Sequence, residues 1–149
     1  MERVDAGAEI QVGQPNEPLP EAVELALREV VQASGDVAFA YVPVIAFPGQ
    51  PAGQVLVVFL RAGVDPEQAL AAISAAVKKA IDKVIAANRK LKVQPLAVLP
   101  ISLARPLDGL AQAVMITDTM LFVADVVAWK RAKNPKPWWL RGLHWMMGR

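Results

Sequence analysis

The chain has no cysteine, a single histidine, a single tyrosine, and no acidic residue after Asp125. The missing cysteines exclude disulfides, thiolate metal sites and thiol catalysis. With only His144 and Tyr41, the usual inventory of general acids and bases is nearly empty. A Ser–His pair would need His144, which lies between Leu143 and Trp145 in a stretch that reads as a tail. A glycine-rich phosphate loop is also missing: AGVDPEQAL (62–70) has neither the glycines nor the lysine that such a cradle uses. Asp118 and Asp125 are two carboxylates, and two alone do not complete a metal shell. A solvated helical face explains them better. The expectation is therefore no catalytic residue, no metal and no cofactor. The opening MERVDAGAEI places acids where a signal peptide needs a positive start and an apolar run, so a cytoplasmic location is expected.

What is present argues for a packed domain. Hydrophobic residues make up 54% of the 149 positions and the mean hydropathy is +0.33, which excludes a disordered chain. A length of this order suits one domain with a proper core. No internal repeat or low-complexity segment is visible.

Local signals divide the chain into elements. AEIQVG (8–13) reads as an opening strand closed by the turn-rich QPNEPLP. Pro20, Glu21 and Glu24 suit the first turn of a helix, Val23, Leu27, Val30 and Val31 form its apolar stripe, and Ser34-Gly35 stops it. That predicts a helix over 19–33. DVAFAYVPVIAF (36–47) is β-branched and aromatic, with Pro43 marking an edge position or a bulge. QVLVVFLRA (54–62) is apolar on both alternating faces and so predicts a central strand, the second arm of an antiparallel hairpin. Asp65-Pro66-Glu67-Gln68 starts a helix over 66–88, whose stripe is Leu70, Ile73, Val77, Ile81, Val84 and Ile85, opposite Lys78, Lys79, Asp82 and Lys83. LKVQPLAVLP (91–100) predicts a further strand.

Beyond Pro100, Arg105-Pro106-Leu107-Asp108 can start a short helix. AVMITDTMLFVAD reads as either helix or strand, because short apolar runs do not separate the two. A helix from Asp118 to about Ala132 is preferred here, since it would put Asp118 and Asp125 on one solvent face. The fold expected is α+β: a mixed or antiparallel sheet of about four strands, order β-α-β-β-α-β, with two packing helices and a helical C-terminal segment. Residues 1–132 would form the domain and 133–149 a tail that packs on it or binds a partner.

Two stretches carry a family resemblance. IQVGQPNEPLPEAVELAL is similar to a strand, Gly-x-Pro turn and Pro-Glu helix start. VAFAYVPVIAFPGQPAGQVLVVF is similar to a hairpin segment, with Val37, Ala40, Tyr41 and Val55–Leu60 at the matching positions. With the element order, these resemble the C-terminal domain of the enhanced serine sensitivity protein (SseB) family over Glu9 to about Pro100. PKPWWLR echoes an aromatic terminal motif of that family. The resemblance implies a fold more than a function, since the family has no settled reaction. It points to a non-enzymatic interaction or regulatory module.

The strongest functional signal is the tail. All four tryptophans fall within residues 129–149, with six of the sixteen basic residues and none of the fourteen acids. Residues 1–128 hold ten basic and fourteen acidic side chains, so the body is −4 and the tail +6. Indoles among cations suit protein anchors, membrane interfaces and phosphate-bearing surfaces alike. Trp138, Trp139, Arg141 and Trp145 are the candidate partner-binding anchors, with Lys130, Arg131, Lys133 and Lys136 supplying steering charge. The bland alternative is structural: Trp129 finishes the core and the other indoles pack over a sheet edge.

A protein partner or self-association ranks first, because apolar content is high and Pro43 suggests an open edge. Peripheral attachment to an anionic membrane ranks second, and a small enzyme or ligand-binding domain of unspecified substrate third. Nucleic acid ranks below these, since the body is acidic and the tail short. A membrane span over 110–129 fails on energy. Each aspartate costs about 2.5–3.5 kcal/mol near the bilayer centre, while each Leu, Ile, Phe or Val gains only about 0.3–0.6.

Overall fold

A computed structural model of the chain describes residues 2–5, 9–15, 19–91, 93 and 96–133. The fold is α+β. Its elements run β1 (Glu2–Asp5), β2 (Glu9–Gly13), α1 (Glu21–Ser34), β3 (Val37–Tyr41), β4 (Val44–Ala46), β5 (Gly53–Leu60), α2 (Pro66–Ala87), β6 (Ala97–Ser102), α3 (Gly109–Met115), β7 (Met120–Val123) and α4 (Val126–Lys133).

The two long helices begin and end where local chemistry places them. Gly35, at φ 72°, takes the left-handed conformation that ends α1, which buries Val23, Leu27 and Val31. At α2 the Asp65 side chain accepts from the Glu67 amide at 3.0 Å, and Pro66 fills the first turn, where its missing N–H costs nothing. The buried stripe of α2 is Ala69, Ile73 and Val77, while Ile81, Val84 and Ile85 are half-buried.

The sheet has seven strands rather than about four, and it is mixed. β3 and β4 are two halves of one arm of the expected hairpin. Tyr41↔Val57 and Val44↔Gln54 keep one register across Val42 and Pro43. Pro43 interrupts the arm without marking an edge: its carbonyl accepts from the Val55 amide at 2.9 Å, and the arm has partners on both sides. Opposite β5, the β4 half pairs with β2 and the β3 half with β7, all antiparallel. Pro43 therefore does not mark an open edge of the sheet.

β5 is central as expected, with β3 on one side and β6 parallel on the other. Val55, Val57 and Phe59 enter one core; Leu56, Val58 and Leu60 enter the other. β6 begins later than the strand read at 91–100. Leu91, Val93 and Leu96 instead pack, half-buried, against the core under α1 and α2. Pro100 is tolerated in β6 because, among the described residues, that strand is paired on one side only. β1 was not legible: ERVD has no apolar alternation, and its strand character comes from antiparallel pairing with β2.

The largest correction concerns 116–133. Asp118 does not start a helix. Met120–Val123 is a strand on the outer side of β3, and α4 begins only after Asp125. The buried β3 backbone needs hydrogen-bond partners along that side, and a helix there would have left its amides and carbonyls unpaired. Asp118 and Asp125 consequently lie at opposite ends of β7, not on a shared helical face. The same break removes any continuous helix over 110–129. Among the described residues, no helix is long and apolar enough to cross a membrane.

α1 and α2 cover one face of the sheet, whose core includes Leu27, Leu56, Leu60 and Ile73. The other face, under α3 and α4, centres on Phe39, Tyr41 and Phe59, with Phe39 stacked on Phe59 at 4.4 Å between ring centroids.

Candidate functional site: an arginine-lined cleft beside α4

A bulge in β3 builds the site. The pairing with β5 shifts between Val37 and Phe39, so Ala38 and Phe39 both enter the α3/α4 core instead of alternating. The bulged Ala38 carbonyl accepts from the amides of Ala124 at 2.8 Å and Asp125 at 3.1 Å. This ties the end of β7 to the sheet and places Asp125 to cap α4. The Asp125 carboxylate accepts from the Ala128 amide at 3.0 Å, and its carbonyl from the Trp129 amide at 3.0 Å.

Arg61, just past β5, reads both ends of this junction. Its Nη1 lies 3.3 Å from Asp125 Oδ2, and its Nε donates to the Gly35 carbonyl at 3.2 Å. Both side chains are partly exposed, so the pair contributes at most about 1 kcal/mol and chiefly orients the groups.

On the core side of α4, the Trp129 indole N–H donates to the Tyr41 hydroxyl at 2.8 Å; Lys133, exposed at the end of the helix, holds its Nζ 4.9 Å from the Trp129 ring centroid. Burial pushes the Tyr41 phenol above its ordinary value near 10, and the Trp129 hydrogen bond works in the opposite direction. Tyr41 is a buried anchor for α4 and does not face an open site. Trp129 finishes the core in the way the structural alternative anticipated.

Between α4, the segment 103–107 and the carboxyl end of β5 lies a cleft of about 680 Å³. Arg61, Arg105 and Arg131 line it, with Gln112 and, as the one acid among the described residues, Asp125. Its apolar wall includes Ala38, Ala62, Leu103, Leu107, Ala128 and Ala132.

The structure therefore divides the cations that sequence reasoning grouped together. Arg131 faces the cleft, Lys133 lies over Trp129, and Lys130 is exposed outside the cleft lining. Lys136, Trp138, Trp139, Arg141 and Trp145, with His144, lie outside the described residues. Arg61 and Arg105 were missed. Arg61 gave a usable signal as the first charge after a run of six buried apolar residues; Arg105 gave none beyond its place before Pro106. Among the described residues, no group of three or more His, Asp or Glu side chains could hold a metal ion.

Comparison with protein-family models, curated proteins and solved structures finds no match for this chain.

Proposed function

We propose that the chain is a non-enzymatic interaction or regulatory module of the SseB C-terminal kind, docking an acidic protein partner through the basic surface that begins on α4. The observation that carries this reading is the outward side of α4. Val126 and Val127 are 50% and 61% exposed on the same eight-residue helix as the exposed Lys130 and Lys133. Apolar side chains among cations form a surface that gains by covering both. Trp138, Trp139, Arg141 and Trp145 would extend it as anchors, with Lys136 adding charge. The family resemblance over Glu9 to about Pro100 supports a domain that works through contacts.

The test compares wild type with K130E/K133E and W138A/W139A variants in affinity capture at low and moderate salt. The reading expects one partner retained by wild type and lost by both variants, with thermal unfolding unchanged. A partner held equally by all three would sink it.

The same exposed valines and cations favour a second reading, attachment to an anionic membrane surface. It ranks lower because eight helical residues span only about 12 Å, a small apolar face for interfacial anchoring. Salt-sensitive co-sedimentation with anionic phospholipid vesicles, lost in K130E/K133E, would reverse that order.

A further inference from the structure

We infer that the cleft beside α4 is a binding site for a small organic anion, whose carboxylate or phosphate head is held by Arg105 and Arg131. Its volume of about 680 Å³ falls within the roughly 300–1,000 Å³ common for small-molecule sites. The wall is mostly apolar with a few polar groups, the composition such sites use to bury a ligand body and orient its head.

Charge decides the ligand class. Among the described residues, three arginines face one aspartate, a net lining charge of +2. Asp125 is already committed, to Arg61 through one oxygen and to the Ala128 amide of α4 through the other. Among the described residues, no carboxylate pairs with Arg105 or Arg131. Residues 134–149 contain Lys136, Arg141 and Arg149 and no acidic side chain, so their side chains offer no anion to complement the cleft. Arg105 and Arg131 are therefore placed to receive an anion, and guanidinium groups suit planar carboxylate and phosphate oxygens in particular. The body of the ligand would lie on Leu103, Leu107 and the alanines at 38, 62, 128 and 132, whose short side chains leave the room it needs.

This assignment stands apart from the docking role of the outer α4 surface, because it uses Arg105 and Arg131 and not Lys130 or Lys133. The test is a ¹H–¹⁵N titration of the full chain with phenyl phosphate and benzoate, and with neutral benzyl alcohol as control. We expect saturable shifts at the amides of Ala62, Ala104 and Ala128 with one or both anions, the stronger binder identifying the preferred head group. In R105Q/R131Q, binding should weaken by about tenfold or more, since two charge-assisted contacts are lost. K130Q/K133Q should bind as wild type does.

Four results would overturn the proposal. These are no saturable shifts with either anion, equal affinity in R105Q/R131Q, equal affinity for benzyl alcohol, or loss of binding in K130Q/K133Q, which would put the anion on the open surface of α4. Both arginines are exposed, and matching thermal unfolding of the variant confirms that any lost binding is not lost fold.

Discussion

The two faces of the sheet are closed in different ways. On one, α1 and α2 run 14 and 22 residues and lay continuous apolar stripes onto Leu56, Val58 and Leu60. On the other, α3 and α4 have only seven and eight residues, and α4 has no fully buried side chain. The aromatic cluster of Phe39, Tyr41 and Phe59 fills the middle of that second face, but short helices cannot cover its margin, and the arginine cleft opens there. Long amphipathic helices, which here leave a cavity of about 390 Å³ between α2 and β6, cover the middle of a sheet face. Short capped ones leave room at its border for polar groups to converge, because each of their few residues is near an end.

Ala69 and Ala132 test this contrast most strongly. Ala69 lies buried in the α2 stripe, so A69L should overpack the core and lower stability by about 1–3 kcal/mol. Ala132 lines the cleft, and A132L should change stability by no more than about 0.5 kcal/mol while blocking the anion site. Chemical denaturation of both variants, with the phenyl phosphate titration repeated on A132L, measures the difference. Equal destabilisation would mean that the two faces are packed alike.

A smaller effect distinguishes the two aspartates. D125A removes the cap of α4 and the partner of Arg61, a loss of about 1–2 kcal/mol, most of it from the cap. D118A, at the exposed turn before β7, should stay within about 0.5 kcal/mol of wild type. Urea unfolding midpoints separate these outcomes, and matching losses would argue against α4 starting at Asp125.

The smallest effect is at Tyr41. Y41F removes the acceptor for Trp129, about 1 kcal/mol at neutral pH. It should also alter the alkaline limb. Because the folded phenol titrates higher than the unfolded one, the unfolded chain ionises first as pH rises past about 10. The fold's full advantage is thus present below the unfolded value and is lost as pH rises through the folded one. Stability measured from pH 8 to 11 should fall less steeply in Y41F than in wild type; parallel curves would remove Tyr41 as the cause.

Much of the frame was legible because its signals are local. Asp65-Pro66 and Ser34-Gly35 mark helix ends by the hydrogen bonds and dihedral angles they provide, within a few residues. The unbroken, β-branched apolar run Val55–Leu60 fits a strand buried on both faces, and its side chains do enter both cores alternately. Asp108 was likewise readable as the start of α3, and its carboxylate accepts from the Ala111 amide at 2.9 Å.

The candidate site was legible only in part. Arg131 was singled out by charge, but its companions Arg61 and Arg105 are 70 and 26 positions away along the chain. A composition signal cannot join residues that only folding brings to one cleft. The sequence by itself determined which segments are apolar enough to bury, where the two long helices begin and end, and that positive charge gathers after residue 128. Only the tertiary structure decided that Met120–Val123 is a strand, that Glu2–Asp5 joins the sheet, and that Asp125 rather than Asp118 starts the last helix. The physical reason is hydrogen-bond demand across space: the outer side of β3 needed a partner strand, and the Ala38 bulge supplied the carbonyl that fixes where that strand ends.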